Sequence, residues 1–236
     1  MVAFMETPLG RRQLLALAGG MGLTAAGLSA TARSVATATA APAAVMLCRD
    51  AWGARPALPG GRPHTIDRMT IHHSAVALPD NRQIIARLQQ HQRFHQMDRG
   101  WVDIAYHAAV DRNGNIFALR DTAIAGDTAT DYDTTGHFLV LCEGDFDSET
   151  VSDAQLNGAA LVCAWATRRF GIGVDTLATH REVAAGTECP GQSLQNHVDS
   201  GDLRQRITAL NSSGFELQQM CGPAAEDLAA AIQTGR

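Results

Sequence analysis

The sequence has no excess of positive charge. Its 19 Lys and Arg are outnumbered by 24 Asp and Glu, for a formal net charge of -5. Chains that grip nucleic acid need a basic surface, so no nucleic-acid partner is expected. Internal repeats are also lacking, which excludes solenoids and propellers. Long hydrophobic runs are missing too, apart from one short, Gly-rich stretch near the start. Bulky residues are scarce in "THREVAAGTECPG", Thr179 to Gly191, which nonetheless holds one histidine and one cysteine. What that cysteine does is the question the sequence poses.

The early stretch "GRRQLLALAGGMGLTAAGLSATA" places Arg11 and Arg12 before an Ala, Gly and Leu run. This is the pattern of a twin-arginine-type export signal, with small-residue cleavage patterns at Ala30-Thr31-Ala32 and Ala38-Thr39-Ala40. Residues 1–40 are therefore read as signal and flexible leader, and the product as periplasmic or secreted. An uncleaved membrane anchor is disfavoured because the apolar stretch is short for a spanning helix. The expected mature protein has no stable span, is of single-domain size and is a monomer. The chain has 5 cysteines, all past the signal: Cys48, Cys142, Cys163, Cys189 and Cys221. An oxidising compartment permits disulfides, but an odd number leaves one thiol over, taken as Cys189. The other four allow three pairings, or Cys142 and Cys163 serve as small buried apolar residues.

Segment 39–63 is rich in Ala, Pro and Gly and is expected over the surface, anchored at Trp52. "RMTIHHSA" alternates like a strand and ends at His72 and His73. "DNRQIIARLQQHQRFHQM" has helical spacing and a cap at Asp80 or Asn81. "DIAYHAAVDRNGNIFALRD" reads as a hairpin turning at Asn113-Gly114, and "GHFLVLCEG" as a buried strand. "VSDAQLNGAALVCAWATRRFGIG" is a helix opened by Ser152 with Gln155 as a capping box and stopped by Gly171. "DTLATH" is a short strand ending at His180, and weaker helices lie near Asp202–Leu210 and Ala224–Gln233. The predicted fold class is α/β, a mixed central β-sheet flanked by helices in a single domain over 41–212, with a helical tail at 213–236.

His72 and His180 each end a predicted strand. If those strands are neighbours, both imidazoles leave the same sheet edge, and Cys189, nine residues after His180, can fold back to them. Two imidazoles and a thiolate leave a fourth position free, the coordination expected of catalytic zinc. His73 faces the other side of its strand and is read as structural.

"AWGARP", "IHHSA", "GWVDIAYH", "NGNIFALRD" and "HREVAAGTECPG" occur in an order and at separations that resemble the zinc-dependent N-acetylmuramoyl-L-alanine amidases of the peptidoglycan-recognition-protein type. The likeness runs from about Cys48 to Leu210. It implies one Zn2+ held by His72, His180 and Cys189, an active-site tyrosine at Tyr106 and a catalytic-loop position at Thr187. It implies peptidoglycan or a muropeptide as substrate, cut at the amide between the lactyl group of muramic acid and L-alanine. His107 and Arg120 match family positions lining the cleft and are expected to contact substrate; for Arg120 a buried structural pairing is the alternative. Tyr106 would donate its phenol hydrogen bond to the developing oxyanion. A glutamate that some relatives carry falls on Leu141 here, with Glu143 two residues on, so no glutamate base is assigned. Asp127 stands where relatives have the histidine of a Gly-x-His, and the loop from His180 to Cys189 is one residue longer than usual. Three other readings compete: a module that binds peptidoglycan without cutting it, a thiol hydrolase with Cys189 as nucleophile and His180 as base, and a glycosidase, disfavoured because Asp145, Asp147 and Glu149 sit together on one turn rather than across a bond.

Overall fold

A computed structural model describes residues 43–235; the expected leader at 1–40 lies outside them. The core is a seven-stranded sheet in the order β6-β2-β5-β3-β4-β1-β7. Strands β2 (Arg68–His73), β5 (His137–Cys142), β3 (Ala108–Val110) and β6 (Leu177–Thr179) run parallel to one another. Strand β4 (Ile116–Ala118) runs antiparallel to β3 and leads into β1 (Ala43–Leu47) and β7 (Glu216–Met220), both parallel to it. The sheet is therefore mixed, as expected, and the parallel members are buried on both faces.

Strand periodicity sorts the side chains. Met69 and Ile71 of β2 and Phe138, Val140 and Cys142 of β5 join one core, packed by helices α2 (Asp153–Phe170), α4 (Gln192–Asp199) and α5 (Asp202–Ser213). Leu141 and Phe117 point the other way, to a core closed by α1 (Ile84–Met97) and α6 (Pro223–Thr234). His72 follows Ile71, so alternation sends it toward the α1 face. Helices thus cover both sides in three layers. Among the described residues, no helix is long and apolar enough to cross a membrane.

Local signals behave as their chemistry dictates. Ser152 caps α2 by accepting the Gln155 N–H at 3.0 Å. The Gln155 amide does not complete a capping box; it donates instead to the carbonyls of Val110 and Glu143, tying α2 to the sheet. Gly171 ends the helix in the left-handed conformation at φ 68°. Gly114 turns the β3–β4 hairpin at φ +84°, where a Cβ would meet the Ala154 carbonyl oxygen at 2.6 Å. The Trp52 anchor is fully buried and donates Nε1–H to Ala118 O at 2.8 Å. Burying an aromatic of that size contributes about 3 kcal/mol.

Three elements depart from the sequence reading. Segment 39–63 is not all surface: Ala43–Leu47 is strand β1, lying between β4 and β7 with Met46 and Leu47 buried. The segment at 213–236 is not only helical, since Glu216–Met220 pairs in register with β1 along its length. Helix α4 was not anticipated. β1 and β7 are short and poor in alternation; β7 becomes a strand by pairing with β1 across most of the chain, and β1 by pairing with both β4 and β7. A disulfide between Cys48 and Cys221 closes the same seam, while Cys142, Cys163 and Cys189 are free and buried.

Candidate metal centre

β2 and β6 are neighbours, with Ile71 opposite Thr179. The residues that follow, His72 and His180, are thereby brought to the carboxyl ends of adjacent parallel strands, the usual ligand position of an open α/β sheet. His180 opens a short helix, α3 (His180–Val183), whose start is fixed by the Glu182 carboxylate accepting the Thr179 N–H at 2.6 Å. The loop after α3 returns because Arg181 N–H donates to Cys189 O at 2.9 Å. Its guanidinium also reaches the Glu188 carbonyl.

The convergence inferred from the sequence is present. One ligand atom from each of His72, His180 and Cys189 lies within 4.8 Å of the other two. Cys189 Sγ is 3.7 Å from His72 Nδ1, and the two imidazole centroids are 4.6 Å apart. A thiolate and an imidazole nitrogen sharing a tetrahedral zinc stand about 3.5 Å apart, so the spacing fits such an ion. Each ring is steadied at its other nitrogen. His180 Nε2 is 2.6 Å from Thr130 Oγ1, and His72 Nε2 is 3.3 Å from Tyr132 OH. These are the outer partners that orient metal-binding imidazoles. The His73 N–H donates to Cys189 Sγ at 3.3 Å and its ring accepts the Phe146 N–H, a structural role as expected.

The electrostatics suit the same purpose. Burial holds His72 well below the usual imidazole range and His180 at about 4, so both rings are neutral with lone pairs available. Burial also pushes the Cys189 thiol up to about 12. A catalytic thiol needs the opposite shift, and the imidazole beside Sγ is His72, not the His180 of the thiol-hydrolase reading. A divalent cation would instead take the sulfur as thiolate.

Tyr106 stands beside the ligands, its ring 5.2 Å from that of His72. Burial, followed by the nearby Cys189, raises its phenol far above the ordinary value, which keeps it a proton donor. Its hydroxyl makes no hydrogen bond to another described residue. Thr187 lines the same cleft and accepts the Cys189 N–H at 3.2 Å.

The two expected substrate contacts are not brought to this cleft. His107 is 2% exposed and both ring nitrogens are engaged by backbone, Nδ1 accepting from Leu139 N and Nε2 donating to Ile124 O. Arg120, 4% exposed, donates to the carbonyls of Ile104, Ala125 and Asp103 and pairs with Asp127 at 2.5 Å. It is the buried structural pairing, and Asp127, not Arg120, faces the cleft. Glu143 is fully buried against Ser74, Arg87 and His91. The sequence reading missed Thr130 and Tyr132. One signal was available: the chain has only 2 tyrosines, and both border the candidate ligands His72 and His180.

Comparison with known proteins agrees with this geometry. Peptidoglycan-recognition protein LB of Drosophila melanogaster is 32% identical over 168 residues, 66% of this chain and 68% of that protein. The N-acetylmuramoyl-L-alanine amidase of Sus scrofa is 31% identical over 162 residues, 66% of this chain but 26% of that longer protein. The solved structure of Drosophila PGRP-LB superposes with a TM-score of 0.59 at 27% identity, covering 67% of this chain and 94% of that one. Peptidoglycan recognition protein LE, solved in complex with tracheal cytotoxin, a monomeric diaminopimelic acid-type peptidoglycan, gives 0.60 at 26% identity, covering 66% and 92%. The family profile described as N-acetylmuramoyl-L-alanine amidase matches residues 62–192, more than half of the chain, and the protein belongs to that family.

Proposed function

We propose that the protein is a zinc-dependent hydrolase of the amide between N-acetylmuramic acid and L-alanine in peptidoglycan. The observation that carries this reading is the convergence of His72, His180 and Cys189 beside a half-buried tyrosine whose hydroxyl has no hydrogen-bond partner among the described residues. His72, His180 and Cys189 would hold the zinc, which supplies Lewis acidity and an activated water. The remaining work falls to the chain. Thr130 and Tyr132 keep the two imidazoles oriented. Tyr106 donates its hydroxyl to the oxygen that gains charge as the amide carbon becomes tetrahedral. Thr187 holds Cys189 in place through its accepted N–H, and its own hydroxyl proton is left to reach the substrate. The Thr128–Thr130 wall and the Glu188 loop confine the scissile group between them. The Cys48–Cys221 disulfide favours an oxidising destination and so supports the export reading.

A digest of purified peptidoglycan followed by mass spectrometry tests the proposal. Free stem peptides and uncut glycan are expected, lost on chelation and restored by zinc. Tight binding by the zinc-loaded protein with no peptide released would assign it to recognition alone.

A further inference from the structure

Both candidate ligand imidazoles take their outer partner from one stretch of chain. Thr130 Oγ1 stands 2.6 Å from His180 Nε2, and Tyr132 OH 3.3 Å from His72 Nε2. The usual outer partner is a carboxylate or a backbone carbonyl. A hydroxyl carried on a loop is aimed only as well as the loop is placed.

That loop runs from 127 to 135, between Gly126 and Gly136. Among the described residues, 128–132 hydrogen-bond only to one another and to the two imidazoles. The position of the loop is therefore set at its ends. At the first, Asp127 pairs with the buried Arg120 at 2.5 Å and donates its N–H to Ala105 O. At the second, the exposed guanidinium of Arg62 reaches three consecutive residues. It meets Asp133 at 3.3 Å, Thr134 Oγ1 at 3.0 Å and Thr135 Oγ1 at 3.2 Å. Thr134 then donates its hydroxyl to Gly126 O at 2.6 Å, closing the neck of the loop. Arg62 is itself fixed through its backbone, since its carbonyl accepts the Ala125 N–H at 2.8 Å and Pro63 bridges to Ile124. A single exposed ion pair contributes little. Arg62 differs because one planar fork ties three residues at once, and because a hydrogen bond such as that of Thr130 is lost when its atoms part by about 1 Å.

We infer that Arg62 is a positioning residue of the metal centre, acting through the 127–135 loop on both imidazoles. The inference deepens the zinc reading and rests on it.

The test measures zinc affinity of the full chain by competition with a chromophoric chelator, so the readout does not depend on turnover. Thr130→Val is expected to weaken zinc about tenfold, and Arg62→Ala about fivefold. Arg62→Lys, which keeps the charge but not the fork, recovers part of the loss. Arg82→Ala removes another exposed pair, with Asp80, and leaves zinc affinity at the wild-type value. The double variant decides. Arg62 and Thr130 share no contact, so independent effects would add. Acting through one loop, Thr130→Val costs less once Arg62 is gone. Unchanged affinity in Arg62→Ala, an equal loss in Arg82→Ala, or strictly additive losses would overturn the inference and leave the hydrolase reading standing. A wild-type chain that takes up no zinc removes both. The expected pattern without release of stem peptide upholds the role of Arg62 and removes the hydrolase.

Discussion

Histidines gather at both ends of the parallel strands, and the two groups do opposite work. Toward the amino ends of β5 and β3, His64 and His107 stack at 5.5 Å, and each spends both ring nitrogens on backbone. His64 accepts the Gly136 N–H and donates to Thr122 O; His107 accepts from Leu139 and donates to Ile124. At the carboxyl ends, His72 and His180 each have one nitrogen beside a hydroxyl, and among the described residues no backbone group claims the other. Residue type is shared, and so is burial for all but the half-buried His64. What separates a candidate ligand from a structural brace is whether the second lone pair is already committed. The cysteines divide in the same way: Cys48 and Cys221 close the β1–β7 seam, while Cys189 stays unpaired beside the imidazoles.

The contrast is broken most severely at a ligand. His72→Ala is expected to abolish zinc retention and lower turnover on the order of a thousandfold, about 4 kcal/mol of transition-state stabilisation. His107→Asn should leave metal content untouched and appear only in the urea midpoint. Metal analysis beside denaturation curves reads both, and zinc loss in the His107 variant would erase the distinction. Next in size, Tyr106→Phe removes one aimed donor, worth about 3 kcal/mol or roughly a hundredfold in kcat. Zinc should remain bound, and wild-type kcat in this variant would take Tyr106 out of the chemistry.

Replacing Cys48 and Cys221 together by serine should destabilise the fold by about 3 kcal/mol, because the bridge closes a long loop in the unfolded chain. Zinc affinity of the folded fraction should not change; a large drop would show that the seam and the ligand end are coupled. The smallest effect is a pH dependence. Burial lowers His107 to about 3 and also lowers His64. Below about 6.5 the unfolded chain takes up these protons and the native state does not. The stabilisation is complete above that pH and is lost as pH falls toward about 3. For His107 alone the loss amounts to about 2 kcal/mol by pH 5. Urea midpoints measured at pH 7 and pH 5, before most carboxylates titrate, should show the decline, and His107→Asn should lessen it without abolishing it, because burial also lowers His95 and His137.

Much of this was legible from residues alone where the signal was local. The alternation of "RMTIHH", the apolar run "HFLVLC" and the capped, Gly-stopped α2 each specify an element within their own few residues, and all are present. β1 and β7 gave no such signal, since "ELQQM" is a strand through its pairing with "AAVML", and "AAVML" through its pairing with β4 and β7, all distant in sequence. His107 and Arg120 were misplaced for a related reason: their types suit a cleft equally well, and only the surrounding carbonyls show them to be spent on the scaffold. Thr130 and Tyr132 were overlooked because their partners lie 50 and 60 residues away.

By itself, the sequence determined the identities of β2, β5, α1 and α2, the turn at Asn113-Gly114 and the short list of groups able to bind a metal, because torsional preference, periodicity and side-chain chemistry act over a few residues. Tertiary structure alone decided which of those groups meet. The pairing of β2 with β6 aligns two imidazoles that the chain keeps 108 residues apart, 180 less 72. Hydrogen bonding then left a lone pair open on some histidines and closed it on others, and that choice depends on neighbours that only the folded chain supplies.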